Sequence, residues 1–151
     1  MPTRRDTLHH GLAVAGLLAS AGLLPRAALA FNKAAFEAKS VAEAAKAFGG
    51  SVPVESRDVT LATPEIAENG AVVQMTLGTT LPDARQLLLL VERNPNVLVA
   101  MFELNEALEP SFSINAKMSQ SSDVYAVAIT RDGKAFFARR DVRVTLGGCG
   151  A

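Results

Sequence analysis

Fifteen basic side chains balance fifteen acidic ones in a chain of 151 residues whose apolar content, 49%, is that of one globular domain. One cysteine allows no disulfide within the chain. Both histidines fall in the first ten residues, away from any zinc site or Ser–His or Cys–His pair built further along. The sequence also lacks a C-x-x-C redox pair, a C-x-x-C-H haem attachment, a G-x-G-x-x-G loop and a Walker loop, so no cofactor and no metal site is expected.

The first thirty residues read as an export signal rather than as fold. Arg4-Arg5 opens a basic region, Gly11 to Leu24 is apolar, and Ala28-Leu29-Ala30 has the A-x-A form of a cleavage site. The apolar stretch is short for a membrane span, and Pro25-Arg26 ends it. Thr3-Arg4-Arg5-Asp6-Thr7-Leu8 looks like a bacterial twin-arginine motif, with Thr7 where an aromatic residue is usual. The expectation is an exported, periplasmic protein in an oxidising compartment, with no membrane attachment after processing. Cleavage leaves twelve basic and fourteen acidic side chains, a net charge of −2, and no histidine. A mildly acidic chain argues against nucleic acid and against anionic membrane surfaces as partners.

Asn32 to Phe48 is rich in alanine, lysine and glutamate, with Asn32 as N-cap and Gly49-Gly50 as the stop, and predicts one helix. From Val52 short strands alternate with turn residues. Strands are expected at Val59–Ala62, Ala71–Leu77, Gln86–Glu92, Val97–Leu104, Ser111–Met118, Val124–Thr130 and Ala135–Leu146. Asp132-Gly133 is the strongest hairpin signal, because such a turn needs positive φ at its centre. The fold class is therefore all-β: an immunoglobulin-like antiparallel β-sandwich of about seven strands, with an N-terminal helix and a flexible C-terminal arm. The segments are a signal peptide at 1–30, a helix at 31–50, the sandwich at 51–146 and the arm at 147–151.

Two strands break the alternation expected of a half-exposed sheet. Leu87 to Val91 and Val97 to Phe102 are apolar at every position, which requires cover on both faces. The N-terminal helix can cover one patch and a partner protein is the other candidate. The expected partner interface lies over Gln86–Glu92 and Val97–Leu104, with Leu89 and Val99 as outward positions.

The tail Gly147-Gly148-Cys149-Gly150-Ala151 holds the sole cysteine among three glycines, directly after the alternating Arg143-Val144-Thr145-Leu146. Three residues past Leu146 carry the thiol about 10 Å from the sandwich. Nothing beside it in sequence would activate it, so its pKa should lie near the ordinary thiol value of about 8.5. A group presented in this way, without activation, suits a carrier whose catalysts are the proteins it visits. An unpaired cysteine in an exported protein otherwise implies an intermolecular disulfide.

The exported chain, the sandwich and the Gly-Gly-Cys-Gly run together resemble the SoxY family, thiosulfate carriers of the bacterial sulfur-oxidation (Sox) system. The resemblance extends to Phe36–Ser40 and to Pro64–Ala71. The family usually ends Gly-Gly-Cys-Gly-Gly, and Ala151 stands here for the last glycine. The resemblance implies that Cys149 is the covalent attachment point for thiosulfate-derived sulfur, with Gly147, Gly148 and Gly150 as a swinging arm. It implies a haem enzyme that joins thiosulfate to the thiol, a hydrolase that releases sulfate, and a sulfur dehydrogenase that acts on the persulfide. It also implies a heterodimer with a second small β-sandwich protein, SoxZ. The protein would then be a substrate carrier rather than an enzyme. A non-catalytic periplasmic module that forms an intermolecular disulfide is the alternative. A thiol-dependent redox enzyme is disfavoured by the missing resolving cysteine and histidine.

Overall fold

The computed structural model describes residues 32–145. The signal segment with Arg4 and Arg5, and the tail with Gly147, Gly148, Cys149 and Gly150, lie outside the described residues.

The single helix expected from Asn32 to Phe48 is instead two, α1 (Lys33–Glu37) and α2 (Val41–Ala47). Ser40 divides them: its hydroxyl accepts a hydrogen bond from the Glu43 amide, and Glu43 Oε2 accepts one from the Lys39 amide. This reciprocal capping satisfies amide groups that a continuous helix would have bonded internally, so a new helix starts where one was expected to continue. Asn32 caps α1 as expected, and its Nδ2 also donates to Ala47 O at 2.6 Å, which folds the pair into a hairpin. At the end of α2 the Gly49 amide donates to Lys46 O and the Gly50 amide to Ala45 O, the Schellman arrangement. Gly49 takes φ +78°, and a Cβ there would stand 2.9 Å from Arg85 Nη2. That guanidinium donates to Phe48 O at 2.6 Å and ties the helix end to the sheet.

Nine strands occur among the described residues: β1 (Val54–Glu55), β2 (Val59–Ala62), β3 (Ile66–Ala67), β4 (Val73–Thr79), β5 (Ala84–Val91), β6 (Leu98–Glu103), β7 (Ser111–Ala116), β8 (Ser122–Thr130) and β9 (Ala135–Val144). One sheet has the order β1-β9-β8-β5-β6, with β3 also on β9. The other has the order β2-β4-β7. The seven expected strands are all present, with ends shifted by one or two residues. The two unexpected ones, β1 and β3, run parallel to β9, so the sandwich is not purely antiparallel. The β8–β9 hairpin turns at Gly133, φ +83°, as its Asp-Gly signal predicts. There the Thr130 hydroxyl donates to Asp132 Oδ1 and, with Lys134, holds that carboxyl below its ordinary pKa.

The two sides of β5 explain its unbroken apolar run. Leu87, Leu89 and Val91 face Ala128, Ala126 and Val124 across the β8 ladder and join the core between the sheets, against Leu61, Met75, Leu77 and Met118. Leu88 and Leu90 point the other way and pack with Val127, Ile129 and the α2 residues Ala44 and Ala45. All five are fully buried. The interface expected over Gln86–Glu92 is thereby corrected. Leu89 points into the core, and the outer face of β5 is covered by the helices of the same chain. Val99 is not an outward position either. Leu90 pairs Leu98 and Leu89 pairs Ala100, which leaves Val99 as the extra residue of a bulge, packed against the inner core. The strand β6 itself remains an open edge. Phe102 stacks on Phe112 of β7 with centroids 4.2 Å apart and closes the sandwich along that side.

If the helix pair is structural cover, Leu88→Ala will destabilise the chain by about 2–5 kcal/mol in urea denaturation, as a core truncation does. A loss below about 0.5 kcal/mol, the value of an exposed position, would contradict the cover.

Candidate functional site

The expected reactive group, Cys149, lies four residues past Thr145, the last described residue. What the structure supplies is the root from which that segment departs. Strand β9 is ten residues long and alternates through its end: Val142 is buried and Val144 packs on the inner core, while Arg143 is exposed. The sequence puts the last strand through Leu146, and the ladder stops at Val144.

The root is held on both sides. On one, β3 runs parallel to it, with Ile66 opposite Arg143 and Ala67 opposite Val144. The Arg143 amide donates to Glu65 O at 2.9 Å and the Thr145 amide to Ala67 O at 3.1 Å. The Thr145 hydroxyl adds a bond to Glu68 O at 3.2 Å. On the other side the Val144 amide donates to Ser121 Oγ at 2.9 Å. Three successive amides therefore have partners outside their own strand, and the chain is fixed up to Thr145. Four residues beyond it extend at most about 14 Å.

Sequence reasoning missed β3 and its role in the clamp. Two apolar residues make no periodic signal, and the only hint was their position between Pro64 and Glu68. Ile66 projects into solvent beside the root at 59% exposure, while Ala67 is buried.

The described residues bring no other chemistry together. No group of three or more His, Cys, Asp or Glu side chains among them is placed to hold a metal ion. The ion pairs among them are Lys33–Glu37, Lys134–Asp132 and Arg139–Asp123, at 3.4–3.6 Å between partly or largely exposed side chains. Arg139 has its pKa raised, chiefly by a hydrogen bond with Tyr125 and then by the Asp123 charge. These are surface contacts of small energetic weight.

Residues 44–149 match the family described as sulfur oxidation protein SoxY. Among solved structures, the sulfur carrier protein SoxY from Chlorobium limicola f thiosulfatophilum is 33% identical, with a TM-score of 0.61 over 69% of this chain and 94% of that one. A superoxide reductase (neelaredoxin) of Ignicoccus hospitalis aligns over 58% of this chain and 80% of its own, at 18% identity and a TM-score of 0.51, which is a likeness of fold alone. No curated protein sequence matches.

The clamp predicts a local effect. Ser121→Ala removes the acceptor for the Val144 amide, a loss of about 1 kcal/mol. Hydrogen exchange at Val144 and Thr145 should quicken severalfold, with the β8–β9 hairpin unchanged. Unchanged exchange at those two amides would mean that the root is held by other contacts.

Proposed function

Because this chain belongs to the SoxY family of sulfur-oxidation proteins, we propose that it is a periplasmic carrier holding thiosulfate-derived sulfur on Cys149. The observation that carries this reading is the family match itself, which ends on residue 149 and so includes the sole cysteine. The clamped root supports it. A carrier needs a fixed body and a thiol on a short lead, and the last anchored residue stands four positions from the sulfur.

The chemistry is a sequence of steps performed by others on this thiol. In the first, Cys149 loses its proton and thiosulfate is joined to its sulfur. A new S–S bond forms, and two electrons leave to a haem enzyme, giving a cysteine S-thiosulfonate. In the second, a hydrolase adds water to the outer sulfur. The bond between the outer and middle sulfurs breaks, sulfate and protons leave, and a persulfide remains on Cys149. A sulfur dehydrogenase then oxidises that persulfide. The chain contributes no acid, base or metal to these steps, only an accessible sulfur whose identity survives from one partner to the next. Gly147, Gly148 and Gly150 are the arm that lets the sulfur enter narrow sites, since they carry no side chain that a partner would have to accommodate.

The constitutive partner in this reading is a second β-sandwich of the SoxZ kind. With β5 covered, the surface left for it is the open edge of β6. There Met101 is 39% exposed, and Leu98, Ala100 and Phe102 are half-buried. An unpaired strand of this composition is a site for association.

Mass spectrometry after incubation with thiosulfate and the purified partner enzymes will show added thiosulfonate or sulfur on Cys149. Cys149→Ser will abolish it while changing stability by less than about 0.5 kcal/mol. A serine variant that still acquires sulfur, or a parent chain found only cross-linked to another protein, overturns the carrier reading in favour of a disulfide module.

The partner edge is tested separately. Met101→Lys should weaken the heterodimer at least tenfold, and amides 98–103 should gain protection on pairing. Unaltered exchange along β6 would place the partner elsewhere.

A further inference from the structure

The segment between β3 and β4 closes the end of the sandwich at which β9 finishes. It starts on the larger sheet, where Ile66 lies opposite Arg143 and Ala67 opposite Val144. It ends on the smaller one, where Val73 pairs with Ala116. Residues 68–72 cross from one sheet to the other. Paired strands lie about 4.8 Å apart, so Ile66 stands beside the root itself. The Thr145 amide bonds to the next carbonyl along, Ala67 O, and the Thr145 hydroxyl to Glu68 O.

The crossing is pinned at several points. The Arg143 amide donates to Glu65 O and the Met118 amide to Gly70 O at 2.7 Å. Asn69 turns the chain between them: its Oδ1 accepts from the Ala71 amide at 2.9 Å and its carbonyl from the Val72 amide at 3.4 Å. Ala67 and Gly70 are buried. Two large aliphatic side chains on this held segment are nevertheless turned out to water, Ile66 at 59% exposure and Val72 at 60%. Alternation accounts for both, since their neighbours Ala67 and Val73 face the core between the sheets. Single exposed aliphatic residues are ordinary on a protein surface. What distinguishes this pair is its place, one residue at each end of the crossing that holds the root.

The length of the tail says what comes to that place. Cys149 is four residues past Thr145, a lead of at most about 14 Å. Enzyme active sites are concave, so the reacting atoms lie beneath the enzyme's surface, and the depth of the site uses up the lead. An enzyme that works on Cys149 therefore brings its rim against the surface around Thr145. The two sheets are about 10 Å apart, and an ordinary interface is about 30 Å across, so Ile66 and Val72 both fall under such a rim. The exposed charges there, Glu65, Glu68 and Arg143, are of mixed sign and give the surface no strong field for a charged partner. A second copy docked by the same face would close off both tails.

We infer that Ile66 and Val72 are the docking contacts for the enzymes that process Cys149, received by an apolar rim around the opening of the enzyme's active site. The inference rests on the carrier reading and names the surface through which that reading works. Side chains presented by a pinned segment lose little freedom when they are buried, which favours association. Two of them cover only a small area, which suits partners that leave after each step.

The test uses the mature full-length chain, thiosulfate and the purified enzyme that joins the two. Ile66→Gln and Val72→Gln should each lower kcat/KM for sulfur addition at least about fivefold, through KM with kcat kept. The thermal midpoint and the rate at which iodoacetamide alkylates Cys149 should not change. Val54→Gln serves as the control, since Val54 is as exposed but lies opposite Phe136, near the start of β9. Parent-like kcat/KM in both glutamine variants overturns the proposal and leaves the carrier reading standing. Faster alkylation in those variants would mean that the pair covers the chain's own tail, and loss of a dimer in sedimentation would assign it to a second copy; either result overturns the proposal. A parent chain that takes up no sulfur overturns the carrier reading and this inference with it.

Discussion

The burial of Leu87–Leu88–Leu89–Leu90–Val91 on both faces is the constraint from which the rest of the structure follows. Each such side chain contributes on the order of 1.5–3 kcal/mol when withdrawn from water. A strand buried on one face only would forfeit the contributions of Leu88 and Leu90. The smaller sheet covers one face and the helix pair the other, so β5 lies in the middle of three layers. The helices are therefore part of the core rather than an appendage. This explains why the chain anchors them with several hydrogen bonds: Asn32 to Ala47, Arg85 to Phe48, and Lys39 Nζ to Pro95 O at 3.1 Å. Opposite the leucines of the inner face the ladder places Ala126 and Ala128, whose small volume lets the larger side chains fill the space between the sheets.

The parts of this architecture that were legible in the sequence are those in which a local rule and the global fold agree. Alternation in Ser111–Ala116, the Asp132-Gly133 turn and the Gly49-Gly50 stop each needed only a few residues of context. The features that escaped each depend on distant residues. Nothing near Ser40 reveals that a helix restarts there, because serine is tolerated within helices as well as at their caps. Strands β1 and β3 consist of two residues each and exist only because β9 presents an edge to them. The bulge at Val99 reverses the side-chain direction along β6, so Val99, expected outward, packs against the inner core. The apolar runs were read correctly as needing two covers. The residues did not say that the helices cover β5 and β8 and, of β6, only its start at Leu98.

For the candidate site the position is reversed. The cysteine and its glycines stood out at once, since residue type and spacing alone carried the signal, while the clamp that holds their root was invisible. It needs Glu65, Ala67, Glu68 and Ser121, residues scattered over more than fifty positions and unremarkable by type. On the proposed carrier reading this division has a use. A thiol acted on by several catalysts would gain from neighbours without large side chains, as in Gly147-Gly148-Cys149-Gly150. Its root would then need to be fixed, since slack there would multiply the volume the sulfur has to search. Holding Arg143 and Thr145 on one side and Val144 on the other would restrict that search.

Strand β9 connects these functions along one line. Its first half forms the hairpin with β8 under the helices, its middle borders a cleft lined by Arg57, Arg139 and Arg140, and its end is the root. From Arg140 to Thr145 an extended strand covers about 17 Å. From Thr145 the thiol reaches at most about 14 Å further. Both lie within the span of one ordinary protein interface of about 800 Å² per partner, a patch roughly 30 Å across. The β6 edge, by contrast, is at the far side of the sheet from β9, separated from it by β8 and β5. A partner seated on β6, as proposed, would leave the root of the tail uncovered. On the proposed reading, the order of strands in the larger sheet would keep a lasting association and a succession of brief ones from competing for one surface.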